Sequence, residues 1–140
     1  QLSEHFVTAG YMRIDPGSRR LEYSRAGHLP LLVHRRTANE FLELNPGGRL
    51  LGLVDELNLE MDELELQSGD RIFCYTDGIY ESLTESGLHF GEKEFKELVA
   101  ASGELGPDDT IHRLATRLSE LSEMADQIED DRTLILIDVQ

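Results

Sequence analysis

Hydrophobic positions along this chain follow two periods, and the change falls just past its middle. Phe6 to Ile14 forms a strand-like stretch closed by the turn signal Asp15-Pro16-Gly17-Ser18. Leu21 and Tyr23 alternate with polar residues in a returning strand, Pro30 to His34 is a short apolar strand, and Arg35 to Asn39 turns. Phe41–Leu44 alternate again before Asn45-Pro46-Gly47-Gly48 breaks the chain into a loop that runs to about Leu57. Leu59 and Met61 share one phase and Leu64 and Leu66 the opposite one, which predicts a bulge near Asp62–Glu63. After the turn Gln67-Ser68-Gly69-Asp70, the run Arg71 to Thr76 is almost wholly apolar, as in a strand buried on both faces.

Beyond that run the period lengthens. Phe95, Leu98 and Val99 predict a helix beginning near Gly91. Ile111, Leu114, Ala115, Leu118 and Leu121 predict a longer one, with Pro107 in its first turn, where a missing N–H costs little. Leu134-Ile135-Leu136-Ile137 closes the chain as another buried strand. Strands, two helices and a returning strand give an α+β class with helices packed on a sheet, and 140 residues suit one domain, 1–140.

Composition narrows the function classes. Thirteen Lys and Arg face twenty-eight Asp and Glu, a formal charge of −15. Such a surface repels nucleic acid and anionic membranes and suits cations or basic partners, although solubility alone accounts for much of it. One cysteine, Cys74, excludes an internal disulfide and reads as a small hydrophobe in a strand. No apolar run approaches a membrane span, and the composition fits a reducing cytoplasm. The start Gln1-Leu2-Ser3-Glu4 has no signal-like block and no initiator Met, as expected of a piece of a longer chain.

Three segments carry candidate chemistry. In Tyr75-Thr76-Asp77-Gly78-Ile79 a buried strand ends on a carboxylate beside a glycine, with a short helix expected over Ile79–Leu83. A strand tip holds a side chain rigidly, as a metal ligand requires; taken alone, a helix cap is the simpler account of Asp77. Glu129-Asp130-Asp131-Arg132-Thr133 opens the last strand with three adjacent acids, which a shared cation or simple solvation would settle. If the two core strands are neighbours, their carboxylates converge. Only oxygen donors are on offer, which favours Mg2+, Ca2+ or Mn2+ over Zn2+. In Arg25-Ala26-Gly27-His28-Leu29-Pro30, His28 reads first as a loop hydrogen-bonding group. The other histidines, His5, His34, His89 and His112, read as surface or packing residues.

Ala26-Gly27-His28, Gly69-Asp70-Arg71 leading into Tyr75-Thr76-Asp77-Gly78-Ile79-Tyr80-Glu81, and Asp130-Asp131-Arg132-Thr133 together resemble the protein phosphatase 2C-like domain of sporulation protein E and its relatives, regulators of bacterial sigma-factor and stress pathways. The resemblance runs from about Phe6 to the C-terminus. It implies an antiparallel β-sandwich flanked by helices, two Mn2+ or Mg2+ ions at one end, and hydrolysis of phosphoserine or phosphothreonine by a metal-activated water. Asp77, Asp130 and Asp131 are the implied metal residues, Asp130 ahead of Asp131. Gly78 and Glu81 would lie by the site, and Gly27 and His28 would form a structural turn near it. The implied partners are a phosphorylated anti-anti-sigma-type protein and a sensor or receiver domain upstream in the parent chain. The family's N-terminal strands and a further metal-binding Asp have no counterpart before Phe6. This chain alone is therefore expected to bind metal weakly, to show little activity, and to offer strand edges that could promote homodimerisation. Two readings compete with the enzyme: a non-catalytic phosphatase-like binding module in a signalling pathway, and an acidic α+β scaffold whose Asp residues are caps and turns.

Overall fold

The computed structural model describes residues 5–53, 56–79, 82–83, 89–125 and 131–140. Two antiparallel sheets carry the fold. The smaller has the order β1 (Ala9–Asp15), β2 (Arg20–Ala26), β5 (Asp62–Glu65). The larger has the order β4 (Glu40–Leu44), β3 (Leu31–Arg35), β6 (Asp70–Tyr75), β9 (Leu134–Asp138). A two-residue pair, β7 (Ser82–Leu83) and β8 (His89–Phe90), follows β6, and then come α1 (Glu92–Ala100) and α2 (Pro107–Ala125).

The larger sheet is the middle layer, and side-chain alternation shows why its strands read as continuous apolar runs. Leu31, Val33, Leu44 and Ile72 face the small sheet and pack with Leu21, Tyr23 and Leu66. Leu32, Phe73 and Tyr75 face the other way and pack with Phe95 and Val99 of α1 and Leu114, Leu118 and Leu121 of α2. Both faces of β3 and β6 are covered, so polar alternation would leave buried groups unsatisfied. Each fully buried side chain of this kind contributes about 1.5–3 kcal/mol.

The helices start as their sequences dictate. Gly91 caps α1, where the Glu94 carboxylate accepts the Gly91 N–H at 3.0 Å and the Gly91 carbonyl accepts the Phe95 N–H at 3.1 Å. Phe95 and Val99, four apart, then fall on one buried face. Pro107 opens α2, as its sequence position predicts.

Among the described residues, buried charge gathers at the start of β6, on Asp70 and Arg71. Arg71 is fully buried and grips Asp138 in a fork (Nε–Oδ1 2.6 Å, Nη2–Oδ2 3.0 Å). It also donates to Thr110 Oγ1 at 2.8 Å and to the Leu105 carbonyl at 2.9 Å. The clamp ties β6 and β9 to the α1–α2 connection. Beside it, His34 stacks on Phe41 at 4.5 Å between centroids and bonds Asn39 Oδ1 through Nε2 at 3.0 Å, which makes it a packing residue.

Three expectations are corrected. No bulge interrupts Leu59–Leu66. The strand begins only at Asp62, and Leu59 and Met61 precede it, exposed, in a segment held by side-chain and loop bonds such as Ser24 Oγ to the Glu60 carbonyl (2.7 Å). The short helix expected over Ile79–Leu83 is a single 3₁₀ turn at Asp77–Ile79, closed by Ile79 N–H to the Thr76 carbonyl, and Ser82–Leu83 is extended. The closing strand is less buried than its composition suggests: it is the edge of its sheet, and Ile135 is 52% exposed.

Candidate metal centre at one end of the central sheet

β6 and β9 are antiparallel neighbours, with Tyr75 opposite Leu134, so the end of one meets the start of the other. The two segments singled out for their carboxylates therefore come together. Their junction is stitched beyond the sheet. Thr76 N–H donates to the Thr133 carbonyl at 3.1 Å, Thr133 N–H donates to Thr76 Oγ1 at 2.9 Å, and that hydroxyl donates to the Asp131 carbonyl at 3.3 Å. One threonine side chain thus spans the strand ends and fixes where Asp77 and Asp131 leave them.

Gly78 makes the approach close. A Cβ there would stand 2.8 Å from the Asp131 carbonyl oxygen and 3.2 Å from Arg132 Cγ, so only glycine fits without displacing the facing backbone. Arg132 reaches back over the junction, donating from Nε to the Gly78 carbonyl (3.1 Å) and from Nη1 to the Leu118 carbonyl of α2 (3.3 Å). The Asp77 and Asp131 side chains are exposed, and Asp77 Oδ1 accepts the Gly78 N–H at 3.1 Å.

The Gly27–Pro30 loop lies at the same end, because β3 starts where β6 finishes (Leu32 opposite Phe73). Gly27 has a φ of 68°, and its missing Cβ leaves room for Leu50, whose Cδ2 would stand 2.3 Å from it. His28 Nδ1 lies 3.3 Å from Thr8 Oγ1, and its carbonyl accepts the Arg25 guanidinium, which also holds the Pro46 carbonyl at 2.9 Å. This matches a loop-stabilising histidine. Among the described residues no hydrogen bond joins His28 to Asp77 or Asp131. Tyr23 supports the loop through its hydroxyl bond to the Leu29 carbonyl (2.8 Å), and burial pushes its phenol up to about 12. Cys74, half-buried on the sandwich face of β6, has its thiol pushed up by burial, the opposite of a reactive thiolate.

Asp130 and Glu81 lie outside the described residues. Among the described residues no three His, Cys, Asp or Glu side chains cluster closely enough to hold a metal by themselves. In kind, the residues fit a hard divalent cation. The carboxylates at the junction offer oxygen only, they face solvent, and the glycine beside them opens the backbone to close approach. Residues that sequence reasoning passed over are Thr76, Thr133 and Arg132, which hold the junction rather than line it. The signal was the pairing of Thr-Asp at one strand end with Asp-Arg-Thr at the other.

The layers match solved protein phosphatase 2C domains. The chain superposes on the SiaA-PP2C domain of Pseudomonas aeruginosa with a TM-score of 0.78, at 21% identity, over 98% of this chain and 53% of that one. It superposes on the phosphatase domain of the cell-fate determinant SpoIIE from Bacillus subtilis, in a Mn-presoaked form, with a TM-score of 0.71, at 19% identity, over 94% of this chain and 56% of that one. Two sheets with helices on one of them define an α+β, protein phosphatase 2C-like fold. The family model for stage II sporulation protein E matches residues 1–140, and the chain belongs to that family. It is 25% identical over 132 residues to the phosphoserine phosphatase RsbU of Bacillus subtilis, covering 94% of this chain and 38% of RsbU. The chain thus spans well under half the length of that relative and about half of the solved domains.

Proposed function

We propose that this chain supplies part of a metal-dependent protein serine/threonine phosphatase, with Asp77, Asp130 and Asp131 among the residues that hold Mn2+ or Mg2+. The observation that carries the reading is the junction itself: two core strands end together, each on an exposed aspartate, with Gly78 pressed against the Asp131 carbonyl. RsbU is a phosphoserine phosphatase by name, and one matching phosphatase domain was presoaked with Mn. A divalent ion held by these carboxylates would supply an activated water for phosphate-ester hydrolysis. The chain's own part is orientation. Asp77 and Asp131 present carboxylate oxygens from rigid strand ends, and Thr76 fixes their spacing.

Residues 1–140 act on this reading as one unit within a larger phosphatase domain. The substrate class is a phosphoserine or phosphothreonine on a small anti-anti-sigma-type regulator. The input is a sensor or receiver domain in the same protein, and the setting is the cytoplasm of a bacterium. Among the described residues no helix is long and apolar enough to cross a membrane. The test is hydrolysis of a phosphoserine peptide by the full-length protein across Mn2+ and Mg2+ concentrations. Metal-dependent turnover that falls by more than about 100-fold in Asp77→Asn and in Asp130→Asn supports the enzyme. A well-folded protein inert at every metal concentration overturns it and leaves the binding-module reading.

A further inference from the structure

We propose that Arg132 is the positioning residue of the metal turn, locking the Gly78 carbonyl of the Asp77–Ile79 turn to the Leu118 carbonyl of α2, so that α2 sets where Asp77 points. The inference rests on the reading of Asp77 as a metal ligand.

The geometry carries it in three ways. First, one guanidinium bonds two backbone carbonyls from elements far apart in sequence, Nε to Gly78 at 3.1 Å and Nη1 to Leu118 at 3.3 Å. Only a planar fork serves both; a lysine ammonium on a flexible stem can hold one at a time. Second, the tie runs beside an apolar contact between the same two elements. Ile79 of the turn packs in one core cluster with Leu114, Leu118 and Leu121 of α2, and a cleft of roughly 270 Å3 lined by Ile79, Leu118, Ser119, Arg132 and Leu134 borders that contact. Packing sets the spacing of turn and helix, and the guanidinium fixes the orientation of the turn's backbone beside apolar surroundings that strengthen the bonds. Third, Gly78 is pressed against Arg132 Cγ and the Asp131 carbonyl, so a shift of Arg132 reaches both strand ends together. Leu118 is itself anchored in the core, which makes α2 a firm base for the tie.

The experiment is calorimetric titration of Mn2+ into the full-length protein and its Arg132→Lys and Arg132→Gln variants, alongside metal-free thermal melting. Arg117→Gln, an exposed α2 arginine paired with Glu120, is the control. The expected result is an apparent Mn2+ Kd about 10-fold higher or more in both Arg132 variants, Lys failing to rescue, with the control at the wild-type value. Wild-type affinity in the Arg132 variants overturns the proposal, as does a lowered melting temperature with unchanged affinity, the mark of a merely structural arginine. If the Arg132 variants do not fold, Gly78→Ala disturbs the same contact from the other side: weakened Mn2+ binding supports the proposal, and wild-type binding overturns it. Asp77→Asn separates the two claims. If it abolishes binding while Arg132→Lys does not weaken it, only the positioning role falls. If it binds as the wild type does, the ligand reading falls and the proposal with it.

Discussion

The two ends of β6 put similar residues to opposite uses. At its start Asp70 and Arg71 are buried and saturated. Asp70 accepts two bonds from Arg35 at 3.2 Å and one from Gln67 N–H at 2.9 Å, while Arg71 is clamped by Asp138, Thr110 and the Leu105 carbonyl. At its finish Asp77 and Asp131 are exposed, and Thr76, Thr133 and Arg132 bond to the junction's backbone and to Thr76 Oγ1. Charges closed off by the protein hold strands and helices together. Charges presented to water from rigid backbone can be reached by a cation. The contrast follows from cost, since a buried charge must find its partners within the fold whereas an exposed one need not.

The largest effect should come from breaking the closed end. Arg71→Met leaves the Asp138 carboxylate facing the helix layer without its fork, and removing one partner of a buried pair costs about 3–5 kcal/mol. Denaturant unfolding should show that loss. A change below about 1 kcal/mol would mean that the clamp is dispensable.

A smaller effect at the same end is pH-dependent. Burial holds His34 below its ordinary value, opposed by the Asn39 bond and by Asp70 and reinforced by the positive charges of Arg71 and Arg36. The folded state then stays neutral where the unfolded chain takes a proton. The stability His34 contributes is present above about pH 6.5, the unfolded value, and is lost as pH falls below it toward the folded value. Denaturation midpoints at pH 7.5 and 5.5 should differ less in His34→Gln than in the wild type, and an equal pH dependence in the two proteins would refute this.

The smallest effect on stability belongs to the open end. Asp77→Asn keeps a side-chain oxygen to accept the Gly78 N–H and removes only an exposed charge, so metal-free stability should move by less than about 0.5 kcal/mol. A large loss would make Asp77 a structural residue like Asp70.

Much of this was legible from residue order. The apolar run at Ile72–Tyr75 announced a strand covered on both faces, Gly91 and Pro107 marked helix starts, and turn chemistry placed the β1–β2 link, where Asp15 Oδ1 accepts Gly17 N–H at 2.8 Å. Periodicity misled where tertiary contacts decide. Leu59 and Met61 look like strand residues yet precede β5, where the Glu60 backbone between them bonds Ser24 Oγ and the Gly47 carbonyl, which no local pattern reveals. Ile135 looks buried because its neighbours are, but sheet order places it at an edge. For the site, the family motifs pointed to Asp77 and to the Asp130–Asp131 pair, Asp130 first, and the meeting of those segments depends on β6 pairing with β9 across nearly sixty residues of sequence. Arg132 was legible only as a member of the Asp130–Thr133 motif, because its two carbonyl partners come from other elements.

The most direct test of the contrast is calorimetric Mn2+ binding to the full-length protein and to Asp77→Asn, with metal-free unfolding measured on both. The wild type should bind Mn2+ saturably, and the variant should lose that binding while its metal-free stability stays within about 0.5 kcal/mol of wild type. Equal Mn2+ binding by the two proteins would contradict it and remove Asp77 from the metal site.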